Sequence, residues 1–161
     1  MHKKKILVTG SSGFIGRYLV KELKRRNMDV ATLADSAGAG IDVRDWRKII
    51  KEIKGVDIIY HLAAVVHAPF SIKRPRETYE VNVLGTLNML ELCRRLKAKN
   101  MVFLSSYVYG KPEYMPIDEK HPIQPNNIYM RSKVLGEDLC RAYNYVACND
   151  LKKHRWNLRY Q

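Results

Sequence analysis

Two apolar rhythms alternate along the chain: runs of consecutive apolar residues, and stretches in which apolar residues recur every three or four positions. The first marks strands buried on both faces, the second helices with one buried face. Ile6-Leu7-Val8 reads as a buried strand, and Ile15, Leu19, Val20 and Leu23 then fall at helical spacing. Val30 to Ala34 reads as a second strand. Ile41-Asp42-Val43 has the make-up of a very short third strand, although Ser36 to Gly40 is too short to hold the helix that a parallel crossover normally needs. Asp45 is placed to cap a helix with Trp46, Ile49, Ile50 and Ile53 on its apolar face, closed by Gly55. Val56 to Ala64 is the next buried strand. Val66 to Arg76, with two prolines, reads as a loop before a long helix from about Glu77 to Leu96, striped by Tyr79, Val83, Leu87 and Leu90. Met101 to Leu104 is a further strand. Lys111 to Asn127, with four prolines, is a loop, and a helix begins near Ile128 with Leu135, Leu139 and Ala142 on its inner face. This alternation implies an α/β fold, a doubly wound parallel sheet with helices on both faces. No internal repeat interrupts it.

Between the first strand and the first helix stands Thr9-Gly10-Ser11-Ser12-Gly13-Phe14-Ile15-Gly16. A glycine-rich turn in that setting is the phosphate-binding turn of a dinucleotide fold. Gly10 permits the tight turn, Gly13 lets backbone approach a pyrophosphate, and Gly16 lets the helix pack closely. The helix N-terminus offers free N–H groups and partial positive charge to the phosphates. Asp35 follows Gly16 by 19 residues, at the end of the second strand. There a carboxylate accepts hydrogen bonds from the adenosine ribose and repels a 2′-phosphate. No Arg follows it immediately, so NAD is favoured over NADP.

With 161 residues and 46% hydrophobic content, the chain has the size and composition of one globular domain. No stretch approaches the roughly 20 apolar residues that span a bilayer, so no membrane partner is expected. The basic Met1 to Lys5 is followed by too few apolar residues for a secretory signal, and a cytoplasmic protein is expected. Cys93, Cys140 and Cys148 have no metal-ligand spacing and read as reduced thiols. His61, at a strand end, reads as a packed, hydrogen-bonded residue, and His67 and His121 have no partners at metal spacing, so no metal site is expected. The formal charge of +13 is scattered over predicted outer helix faces and matches no nucleic-acid motif, so it reads as solvated surface.

Tyr129-Met130-Arg131-Ser132-Lys133 places a phenol and an ammonium four residues apart, on one helix face. A free phenol titrates near 10, too high for proton transfer at neutral pH, and a neighbouring ammonium favours the phenolate. The preceding strand ends at Ser105-Ser106, whose hydroxyls can bind a substrate hydroxyl or carbonyl.

Together with Asp42-Val43-Arg44-Asp45, His61-Leu62-Ala63-Ala64, Asn82-Val83-Leu84-Gly85-Thr86 and Ser105 to Gly110, these motifs resemble the NAD-dependent epimerase/dehydratase family. These are extended short-chain dehydrogenase/reductases, with a Rossmann domain, that act on nucleotide sugars. The likeness runs from about Lys5 to Tyr143. It implies that Ser11, Gly13, Phe14 and Ile15 line the pyrophosphate, with Gly10 and Gly16 shaping the turn. It also implies that Asp35 holds the adenosine ribose, that Asp42 and Val43 contact adenine, and that Leu62, Ala63 and Ala64 pass along the cofactor. Asn82 would order the site near the ribose. Tyr129 would be the acid/base, with Lys133 holding the nicotinamide ribose. One residue, Tyr107, separates the serine pair from Val108-Tyr109-Gly110, where the family usually has two. Aligned from the strand the reacting serine is Ser106; aligned from Tyr109 it is Ser105; a deletion sits more easily in a loop, which favours Ser106. The family's 4,6-dehydratases carry an Asp-Glu pair after the reacting Ser/Thr. Tyr107-Val108 stands here instead, which favours epimerase chemistry, or that of a nucleotide-sugar reductase, over dehydration.

From Asn144 the pattern fails. Residues 1–145 are expected to form the NAD-binding domain, incomplete at its C-terminal side, and 146–161 an atypical basic tail. The substrate domain typical of the family is absent, so the expectation is a truncated chain that binds NAD but turns over a nucleotide sugar weakly or not at all. A non-catalytic NAD-binding module is the alternative. The resemblance also implies a homodimer through the helices near 77–96 and 128–145.

Overall fold

The computed structural model of the chain describes residues 4–34 and 38–150, residues 145–150 by their backbone alone. Four strands are found there: β1 (Lys5–Thr9), β2 (Asp29–Thr32), β3 (Ile58–His61) and β4 (Asn100–Phe103). All pairings are parallel and the order is β2-β1-β3-β4. The chain therefore leaves β1 towards one edge and resumes at β3 on β1's other side. That makes a topological switch point, where α/β sheets bind ligands at the carboxyl ends of the strands.

Both sheet faces are covered, unequally. Along β1, alternate side chains point to opposite faces. Ile6 and Val8 join Leu23 of α1 (Phe14–Arg25) in a small cluster, with Leu19, Val20 and Met28 packed against it. Leu7 joins Ile59, Met101 and Phe103 in the larger core, beneath α2 (Trp46–Glu52), α5 (Gly85–Leu96) and α6 (Ile128–Asp150). Asp45 caps α2 as its position predicts, accepting from the Lys48 N–H at 3.0 Å.

Several expectations fail, each for a local reason. Ile41 to Val43 is not a strand; a single antiparallel bridge, Ala34 to Gly40, turns the chain back there. Ile41 and Val43 are buried all the same. The supposed loop after Val66 contains a short helix, α3 (Ala68–Lys73), with Pro69 in its first turn, where proline's missing N–H costs nothing. The long helix starts earlier, as α4 (Pro75–Tyr79), and passes through a π turn, Glu80–Leu84, before α5. In that turn the Gly85 N–H reaches the Glu80 carbonyl, five residues back. Tyr79, Val83 and Leu87 of the expected stripe are half-buried and Leu90 is buried; Thr78, already before the turn, and Asn82, Thr86, Met89 and Cys93 face the core with it.

On α6 the inner face is likewise not Leu135 and Ala142. Leu135 is 44% exposed and Ala142 is exposed. Ser132, Lys133, Gly136, Glu137 and Cys140 face inward instead. A Cβ on Gly136 would stand 2.6 Å from the Phe103 ring, so α6 lies too close to β4 for a larger residue. Ile15 is also exposed rather than packed with Leu19. The tail beyond Asp150 and Asp35 lie outside the described residues. Among the described residues no helix is long and apolar enough to cross a membrane, and no cluster of His, Cys, Asp and Glu is placed to hold a metal.

Candidate active site

At the switch point lies a cleft of about 910 Å³. The glycine turn, from Gly10 through Ser11, Gly13, Phe14 and Ile15 to Gly16, forms one wall. Leu62, Ala63 and Ala64, following β3, form the second; Asp42 and Val43 lie at the far end. Gly10 adopts φ +64, and a Cβ there would stand 2.7 Å from the Ala63 nitrogen. A Cβ on Gly16 would stand 2.1 Å from the Gly10 carbonyl oxygen. The third glycine therefore seats the helix on the turn itself rather than on the strand. α1 has no side-chain cap and no acidic residue in its first turn. Its opening N–H groups and helix dipole are left uncompensated by the protein. That arrangement fits a diphosphate, and with the long cleft it fits a dinucleotide.

The far end is held by side chains. Arg44 donates to both Asp42 carboxylate oxygens, at 2.6 Å from Nη2 and 3.0 Å from Nε. Those bonds hold the Asp42 carboxyl below its ordinary range. The Val43 carbonyl accepts from Asn88 at 2.8 Å, and its side chain fills the space above Gly85, where a Cβ would stand 2.6 Å from it.

A buried chain of small polar residues runs from this cleft to α6. The Thr9 hydroxyl oxygen accepts from the Leu62 and Ala63 N–H groups, both at 3.2 Å. Its own hydrogen is left for His61 Nδ1, at 2.8 Å. His61 therefore carries its proton on Nε2 and donates to Thr86 at 3.1 Å, and Thr86 donates to the Asn82 carbonyl at 2.6 Å. His61 is thus the packed, hydrogen-bonded residue its position implies. Burial, and secondarily the nearby Lys133 charge, push it down to about 3. Asn82, in the π turn, binds the Val65 backbone through both its N–H and C=O, at 2.7 and 3.0 Å. It also donates to Ser132 at 2.8 Å, and Ser132 donates to the Tyr129 carbonyl at 2.7 Å.

Tyr129 and Lys133 are both buried, on the inner face of α6, and neither lines the cleft. Lys133 Nζ lies 4.1 Å from the centre of the Phe103 ring, and desolvation lowers the ammonium to about 8. The Tyr129 hydroxyl has no protein partner among the described residues. Ser105 and Ser106 line a second, smaller cavity of about 270 Å³ with Tyr107, Ile117, Asp118 and Glu137. The structure thus gathers the sequence-marked turn, adenine-end and β3 residues into one cleft. It ties Asn82 and Tyr129 into the polar chain and puts the serines in a neighbouring cavity. Thr9, Thr86 and Ser132 stand inside the marked motifs without an assigned role, and Glu137 stands outside them, because apolar periodicity does not mark a polar inner face. Glu137 does stand four residues after Lys133, a spacing that puts both on one side of α6.

A parallel sheet with this glycine turn at its switch point defines a dinucleotide-binding α/β domain. Buried hydrogen bonds tie that cleft to the inner face of α6. The chain belongs to the NAD dependent epimerase/dehydratase family, whose profile matches residues 6–147. It is 38% identical over 155 residues to a putative UDP-glucose 4-epimerase of Methanocaldococcus jannaschii, covering 86% of this chain and 50% of that protein. It is 33% identical over 159 residues to UDP-glucuronic acid decarboxylase 1 of Xenopus tropicalis, covering 88% of this chain and 38% of the other. The Thermus thermophilus UDP-glucose 4-epimerase solved in complex with NAD superposes with a TM-score of 0.75 at 31% identity, over 94% of this chain and 53% of that one. The chain thus spans about half the length of these relatives or less.

Proposed function

We propose that the chain supplies the NAD-binding and proton-transfer half of a nucleotide-sugar epimerase, with a UDP-sugar as substrate. The observation that carries this reading is the cleft: an uncapped helix N-terminus on a turn of obligatory glycines, joined by buried hydrogen bonds to the helix that bears Tyr129 and Lys133. The UDP-glucose 4-epimerases among its relatives supply the substrate class.

In this reading the N–H groups of Phe14, Ile15 and Gly16 hold the diphosphate, and Asp35, Asp42 and Val43 hold the adenosine end. Bound there, NAD supplies a hydride acceptor and donor. Tyr129 takes the proton from the sugar's 4-hydroxyl and returns it after the ring has presented its other face. Lys133, held in its buried site, favours the phenolate and holds the nicotinamide ribose. The serine pair binds the reacting oxygen. A reductase would use the same groups in one direction only.

The test is a thermal shift with NAD and with NADP, followed by incubation with NAD and UDP-glucose while UDP-galactose is measured. Stabilisation by NAD exceeding that by NADP, and turnover abolished by Tyr129→Phe, is the expected pattern. For these 161 residues alone binding should far exceed turnover, because half of each epimerase relative has no counterpart in them. Burial of Tyr129 and Lys133 away from the cleft favours a second reading, a non-catalytic NAD-binding module. Stabilisation by NAD with no epimerisation, even at high enzyme concentration, would select it. No response to NAD would overturn both.

A further inference from the structure

We propose that Glu137 is a positioning residue that separates the roles of the two serines: it engages the Ser105 hydroxyl and leaves Ser106 as the hydroxyl offered to substrate. The inference rests on reading Ser105-Ser106 as the site that binds the reacting oxygen. Ser105 Oγ donates to Glu137 Oε1 at 2.5 Å, so its hydrogen is committed. Ser106 is exposed at the mouth of the same cavity, and its hydroxyl has no protein partner among the described residues. Glu137 is almost wholly buried, and its other oxygen accepts from Arg141 at 3.0 Å. Pairing with Arg141 does not explain that burial. Arg141 is half exposed and binds Asp138 as well, at 2.6 Å. A buried carboxylate is expensive unless its lone pairs are used, and the partner that α6 brings it to is the end of β4.

The same carboxylate acts on Lys133, one helical turn back. The titratable groups facing Lys133 are Glu137 and Cys140 on its own helix and His61 from β3, with the Phe103 ring from β4 beneath it. His61 is neutral in its buried site. Of the groups that oppose desolvation and favour the ammonium, Cys140 comes first and Glu137 second; burial pushes the Cys140 thiol up to about 12 and keeps it protonated, which leaves Glu137 as the carboxylate among them. So Glu137 fixes the serine loop against α6 and, through charge, supports the group that tunes Tyr129.

Two measurements on the 161-residue chain test this, and neither needs cofactor, substrate or turnover. Proton NMR in cold water should show, among the protected hydroxyl protons of the buried threonines and serines, one that is lost in Ser105→Ala and kept in Ser106→Ala. Its absence from the wild-type chain, or its loss in Ser106→Ala, overturns the assignment. Titration of the Lys133 side chain by carbon-13 NMR should show a midpoint that falls by about half a pH unit or more in Glu137→Gln. Glutamine keeps an acceptor for Ser105 and removes the charge, so an unchanged midpoint reduces Glu137 to a space-filling bond. Should Glu137→Gln fail to fold, the hydroxyl measurement still decides between the serines. Absent epimerase activity would leave both measurements standing. Their failure would leave the reading of Tyr129 untouched.

Discussion

The cofactor cleft and the inner face of α6 solve opposite problems. The cleft is made of backbone: glycines, an uncapped helix end and short apolar walls, with its polar groups left open for a ligand. The face of α6 is made of side chains, among which Ser132 and Glu137 are held by hydrogen bonds with Asn82 and Ser105. The first can be damaged by adding atoms, the second by removing them. Rigidity at the cleft comes from lack of space. At α6 it comes from satisfied donors and acceptors, which are costly to leave unpaired once buried.

The largest expected effect is therefore steric. Gly16→Val adds a branched side chain where a single Cβ already meets the Gly10 oxygen at 2.1 Å. It should cost about 3 kcal/mol by chemical denaturation and remove the thermal shift caused by NAD. Asn82→Leu, next in size, removes atoms of function rather than of volume. It strands the Val65 backbone and the Ser132 hydroxyl, and should cost about 2 kcal/mol while NAD binding survives in weakened form. Loss of NAD binding as complete as in Gly16→Val would show that the two regions are one.

Acid gives a third probe. His61 is held near 3 in the folded chain, below its ordinary 6.5. As pH falls, the unfolded chain takes up the proton first, so stability is full above 6.5 and drains away towards 3. The slope approaches about 1.4 kcal/mol per pH unit. Urea midpoints at pH 7, 6 and 5 would show it, and His61→Gln should flatten it. Lys133, lowered to about 8, has the same sign higher up: stability should rise between pH 8 and 10.5. The smallest effect is expected on the surface of α1. Glu22→Gln breaks surface ion pairs with the exposed Arg25 and Arg26 and should leave the urea midpoint nearly where it was.

The same contrast decides what could be read from the sequence. The glycine turn is legible because glycine is demanded by geometry, and Gly10 and Gly16 leave no alternative. The strands are legible because β1 is buried nearly throughout, and β3 and β4 bury one face fully and the other in part. The α6 face is not legible by the same rule. Leu135 has the right chemistry for a core and points outward, while Lys133 and Glu137 lie within. Periodicity assumes that oil defines the inside, whereas here the inside is defined by which polar groups can pair. In the α4–α5 helix the π turn is a separate obstacle, since a widened turn changes the phase of every residue after it. Asp42 lines the cleft, but its tether to Arg44 depends on a loop conformation that no local rule gives.

The fixed direction of hydrogen bonding through His61 carries a consequence for proton traffic. At one end Thr9 receives from two backbone amides, which have no lone pair to accept a returning hydrogen. At the other, Thr86 ends on a carbonyl, which has no hydrogen to give. A relay must be able to reverse every link after each passage, and this series can reverse none without first breaking the ends. The series is therefore a fixed structural tie and not a relay, and it meets Tyr129 only at the backbone carbonyl, through Asn82 and Ser132.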